Sequence, residues 1–179
     1  MLRVDLEKKF NLKKIKPTKL KDVLNDWAGN IVKDHRRRLQ YGQDVDMKPM
    51  TKLQASTIHG KRFNNYSKPR VPLYGTGAMS KVYQNKQATT SSPQATIIPP
   101  KKRAEIAKYH QGGTSPYIIK AKKGKRLYPL FNNRGEVYSA RQVKHPGLPE
   151  REWFGITEKQ EKKGLRMMEK NIEDQINRA

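Results

Sequence analysis

The sequence predicts an α+β protein, and three observations predict it. Apolar residues recur at helical spacing near both ends of the chain: Leu20, Val23, Leu24, Trp27 and Ile31 in one stretch, Leu165, Met168, Ile172 and Ile176 in the other. Between them, aromatic and β-branched runs flank Asn132-Asn133-Arg134-Gly135, the pattern of a β-hairpin. Shorter stretches that alternate apolar and polar, or stop at prolines, read as strands. The chain has 179 residues, 34% hydrophobic and 31% charged, enough for a single domain with one modest core and with loops or arms outside it. Its parts are an N-terminal strand and basic link at 1–16, a helix and the first part of a sheet at 17–115, a basic β-hairpin arm at 116–144, and an elbow with a closing helix at 145–179.

In order, Leu2-Arg3-Val4-Asp5-Leu6 alternates as a short strand with one buried face, and Lys13–Lys16 is a basic link broken by Pro17. Thr18 can cap the first helix, expected over Lys19 to about Gln40. Arg36-Arg37-Arg38 sits near its C-terminal end, where cations suit the helix dipole; the triplet reads as a solvated helix end, with phosphate binding as the lesser reading. Gly42–Pro49 is turn-rich, Thr51–His59 reads as a short helix, and Gly60–Arg70 as loop with Phe63 and Tyr66 isolated. Gly75-Thr76-Gly77 lacks the spacing and the Lys-Ser/Thr ending of a nucleotide cradle, so it reads as a tight turn into a strand, with Met79, Val82 and Tyr83 as apolar contacts.

Gln84–Ser92 is polar and turn-like, and Ala95-Thr96-Ile97-Ile98 is a strand cut off by Pro99-Pro100. Arg103–Gln111 reads as a helix with Ile106, Ala107 and Tyr109 facing inward, ended by Gly112-Gly113. The hairpin pairs Pro116–Phe131 with Glu136–Val143. Its flank carries Lys122, Lys123, Lys125 and Arg126, and from Lys101 to Arg126 nine Lys/Arg face one acid, Glu105. Such a run is either an extension kept soluble by charge or an arm that docks on an acidic neighbour or on DNA phosphates. The elbow, His145–Gly155, is held by two prolines and two glycines and delivers Trp153 and Phe154, which need apolar cover. Thr157-x-x-Gln160 is a capping box that launches the last helix, Glu158–Asn177.

Lys+Arg is 39 against 16 for Asp+Glu, a formal net charge of +23, which attracts polyanions and repels a second copy. No apolar run approaches the roughly 20 residues that cross a bilayer, so no membrane partner is expected, and no secretory signal pattern opens the chain. With no cysteine, disulfides, thiolate catalysis and thiolate zinc are excluded. His35, His59, His110 and His145 are scattered without metal-ligand spacing. No paired carboxylates and no nucleophile elbow stand out. No catalytic, cofactor-binding or metal residues are assigned, no cofactor is expected, and the chain does not read as an enzyme.

Four segments together resemble a family. Asp46–Thr57 resembles the "W-x-P-L-s…T" segment of phage virion-morphogenesis proteins, with Met50 for the leucine and no tryptophan. Pro72–Met79 is similar to their "P-L-x-x-T-G-x-L" lead into the central sheet. Ile106–Gly113 is similar to "Y-A-x-x-H-Q-x-G", with Ile-Ala for Tyr-Ala, and Leu148–Gly155 to "I-P-x-R-x-F-L-G". Their order spans roughly Leu20 to Ile176. The family comprises tail-completion, tail-terminator and neck proteins of tailed bacteriophages. The resemblance implies a twisted, mainly antiparallel sheet with packed helices, and a homo-oligomeric ring, commonly a hexamer. It implies a virion protein assembled in the host cytoplasm, capping the tail tube and joining tail to head around the DNA channel. Neighbouring connector, neck, tail tube or sheath proteins would be partners, with genomic DNA passing through. The arm residues Lys122, Lys123, Lys125 and Arg126 are then candidates for subunit or partner contact. Arg151 joins them because a guanidinium beside aromatics suits carboxylate pairing. Pro149, Trp153, Phe154 and Gly155 are candidates for elbow packing. The competing expectation is a basic nucleic-acid-binding protein of ribosomal or packaging type, with Tyr109, Tyr117, Tyr128 and Tyr138 near lysines able to stack on bases.

Overall fold

The computed structural model describes residues 17–81, 83–99 and 101–177. The strand read over Leu2–Leu6, the link Lys13–Lys16 and Val82 lie outside the described residues. Elements follow in the order α1 (Pro17–Tyr41), α2 (Ala55–Phe63), β1 (Tyr83–Lys86), β2 (Thr96–Ile98), α3 (Ala104–Gly112), β3 (Tyr117–Lys120), β4 (Leu127–Phe131), β5 (Val137–Ala140), β6 (Gln142–His145) and α4 (Glu158–Asn177). The protein is α+β, with its strands divided among three two-stranded sheets, β1-β2, β3-β6 and β4-β5. The chain forms two compact units. One takes the described residues of Met1–Ile31, Gln84–Ile97 and Thr157–Ala179, the other Val32–Tyr83 and Ile98–Ile156.

The first unit is built on the two apolar stripes seen in the sequence. Trp27, Ile31 and Met168 form its buried cluster, with Val23, Leu24, Ile97 and Met167 packed against it, and Ile172 is fully buried. The indole of Trp27 lies directly over Gly164, where an added Cβ would overlap the ring. That glycine is therefore a matter of space: only a residue without a side chain lets α4 come this close. Trp27 Nε1–H donates to Gln160 O at 3.1 Å, so the buried indole is satisfied. The capping box forms in both directions, Gln160 N to Thr157 Oγ1 and Thr157 N to Gln160 Oε1, each 3.1 Å. Asn25 on α1 ties down the turn after β1, donating to Ala88 O and accepting from Ala88 N and Gln84 Nε2.

In the second unit, α2 begins four residues later than its expected start, after Gln54 in extended conformation, and no side chain caps it. It continues past Gly60 to Phe63, whose ring meets Phe131 of β4 at 5.5 Å between ring centroids. The hairpin forms around the expected turn. Asn132 Oδ1 accepts from Arg134 N and Glu136 N, and Gly135 adopts φ 89°. The β4-β5 ladder pairs Leu130 with Tyr138 and Phe131 with Val137, and β3-β6 extends it, pairing Tyr117 with His145 and Lys120 with Gln142. The expected inward face of α3 is corrected. Ala107 is buried, while Ile106 and Tyr109 are 39% and 52% exposed. The Trp153 indole meets α3 here, donating to the Ala107 carbonyl at 3.2 Å.

Candidate functional site

Two regions hold the sequence-selected residues. The elbow buries Gly147, Arg151 and Trp153 and leaves Pro146, Pro149, Glu150 and Glu152 exposed. Trp153 is 1% exposed and its Nε1–H donates to Ala107 O at 3.2 Å. Phe154 meets His35 of α1 at 4.9 Å, and its backbone exchanges two hydrogen bonds with the side chain of Gln111. Gly155 N–H donates to His35 Nε2 at 3.3 Å, while Gly155 O accepts from Arg38. Pro149 is exposed and contributes a carbonyl, which accepts from Arg151. The path is fixed further by Gly147 at φ 88°, where an added Cβ would collide with Thr114 O.

Two guanidiniums lie inside this unit. Arg38 is 1% exposed and donates to Val45 O and Gly155 O, so the third member of Arg36-Arg37-Arg38 is no solvated helix end. Its stripe explains this: Trp27, Ile31 and His35 are spaced by four, and Arg38 continues the same face. Burial lowers its pKa, partly offset by Asp34, Asp44 and Asp46. Arg151 is 6% exposed, has its pKa lowered by burial, and pairs with no carboxylate among the described residues. Its backbone N–H donates to His110 O at 2.9 Å. His110 is lowered to about 4, first by desolvation and then by the Arg151 charge. His110 Nδ1, Arg151 Nε and Arg38 Nε are buried without a hydrogen-bond partner in the protein.

The hairpin is the opposite case. All four residues of β3 are exposed, with Tyr117, Ile118 and Ile119 at 45%, 52% and 37%. Tyr128, Val137 and Tyr138 are exposed as well. Lys122, Lys123, Lys125 and Arg126 stand on an exposed loop between β3 and β4. Arg126 is tied back, its Nε to Ser139 Oγ and its guanidinium to Ser139 O, both 2.8 Å. Among the described residues no hydrogen bond or ion pair joins this loop to the elbow, so the candidate contact residues form two separate groups.

Sequence reasoning did not single out His35, Arg38, His110 and Gln111 as the elbow's partners. For α1 the signal was polar residues at stripe positions; for α3 it was His110 and Gln111 standing three and four residues after Ala107. Among the described residues no group of three or more His, Asp or Glu is placed to hold a metal, and no helix is long and apolar enough to cross a membrane. No protein-family model, curated protein or solved structure matches this chain.

Proposed function

We propose that this chain is a structural subunit of an oligomeric ring at the neck or tail end of a tailed-phage particle, a tail-terminator or tail-completion type of part. One observation carries the reading: the hairpin keeps an apolar strand, Tyr117-Ile118-Ile119, in the open, and Tyr128, Val137 and Tyr138 farther along it are exposed as well. Apolar side chains grouped on an exposed strand are a surface for another chain. The ordered motif run from Asp46 to Gly155 supports the particular assembly. The neighbouring copy covers β3, and the elbow behind the hairpin holds its base in position. The ring caps the tail tube and joins tail to head, with connector, neck and tube or sheath proteins above and below.

Sedimentation velocity and native mass spectrometry at moderate salt test this. Discrete rings are expected for the natural chain, and a shift to monomer for Ile118→Glu with the circular dichroism spectrum unchanged. A natural chain that stays monomeric across the accessible concentration range overturns the reading.

A further inference from the structure

The geometry points to a second contact on the same hairpin: the Lys122–Arg126 loop seats on the phosphate backbone of duplex DNA. The loop is a built feature of the ladder. Ala121 N–H donates to Arg141 O at 2.8 Å, and Leu127 pairs with Ala140, the next residue of the facing strand. Lys122-Lys123-Gly124-Lys125-Arg126 is thus extruded between two adjacent rungs. Lys125 N–H donates to Lys122 O at 2.9 Å and Gly124 takes φ 73°, which closes the loop as a turn. Arg126 is anchored on Ser139. Its clamp leaves Lys122, Lys123 and Lys125 exposed and grouped, with no carboxylate paired to them among the described residues.

The chain does not neutralise this loop itself. From Tyr117 to His145 there are eight Lys/Arg and one acid, Glu136, which already accepts from Asn132 Nδ2 at 2.6 Å. Another copy carries the same +23 and is a poor source of countercharge. A partner dense in negative charge is the complementary occupant. Duplex DNA presents about one charge per 1.7 Å of axis, a density that three lysines in one turn can exploit through counterion release. Lysines bind phosphates as point charges without demanding a base sequence, which suits a contact made at any position along a duplex.

The proposal takes its setting from the reading of the chain as an assembly part, but a different measurement tests it. Fluorescence anisotropy with a labelled short duplex is followed over a salt series for the natural chain and for K122A/K123A/K125A. The loop variant should bind at least about tenfold more weakly, with the slope of log K against log salt reduced by about 2–3, near 0.9 for each phosphate no longer neutralised. K122Q/K123Q/K125Q, which keeps most of each stem, should weaken binding as much. K159A/K162A/K163A removes the same charge from α4 and should retain nearly full affinity. Equal weakening in the loop and α4 variants overturns the proposal. So does a single strand of the same length, or polyglutamate, binding the natural chain as tightly as the duplex. Sedimentation without DNA reports on the ring and anisotropy on the loop, so either can fail alone.

Discussion

His110 and Arg151 show how single residues set the pH response of the second unit. The two are joined by the bond from Arg151 N to His110 O, and each has a buried nitrogen without a partner in the protein. A histidine whose folded value is lowered to about 4 from 6.5 is held neutral in the native state. As pH falls the unfolded chain takes up the proton first, so this contribution to stability is intact above about 6.5 and is lost between there and about 4. We predict that urea midpoints across this window fall more steeply for the natural chain than for His110→Gln. The excess loss should be on the order of 1–2 kcal/mol, solvent screening having reduced the full linkage value. Parallel curves would show that His110 is not held neutral by the fold. Arg38 and Arg151 make the complementary point: each is a cation held inside, with backbone carbonyls rather than carboxylates as its acceptors.

At the scale of elements, the best-specified piece is α4. Its start is written into Thr157 and Gln160, which satisfy two otherwise orphaned backbone donors reciprocally. Thr157→Ala should cost about 1 kcal/mol, read as a lower urea midpoint with an unchanged slope; no shift would mean the box adds nothing beyond packing. The ends of α4 and the hairpin turn were legible in the sequence because capping and turn chemistry act within four residues. The limits of α2 and the inner face of α3 were not. The far end of α2 meets Phe131, and α3 receives the Trp153 indole at the Ala107 carbonyl, both partners remote in sequence.

For the whole molecule, a net charge of +23 means that folding concentrates like charges. Few acids offset them, and among the described residues the ion pairs Arg37–Asp34, Lys48–Asp46 and Lys162–Glu158 all include exposed partners. Added salt shortens the screening length from about 10 Å at 0.1 M to about 3 Å at 1 M. The urea midpoint should therefore rise as sodium chloride is added over this range. A midpoint that falls with salt would mean that attractive pairs outweigh the repulsion. The same charge is tolerable in an assembly that supplies anions, as the proposed DNA contact would.

Local pattern by itself determined the class of the protein, the two long helices, the hairpin with its turn, the excess of positive charge and the need to cover Trp153. These are properties of spacing, capping, turn residues and composition, which act over a few residues or over the sum of the chain. Only the tertiary structure decided which cations are solvated and which are buried, which apolar residues lie inside, and that Lys122–Arg126 leaves the ladder as a clamped loop. Those outcomes depend on what stands opposite each side chain, and the partners come from distant parts of the sequence: His35 and Arg38 for Gly155, Ala107 for Trp153, Ser139 for Arg126.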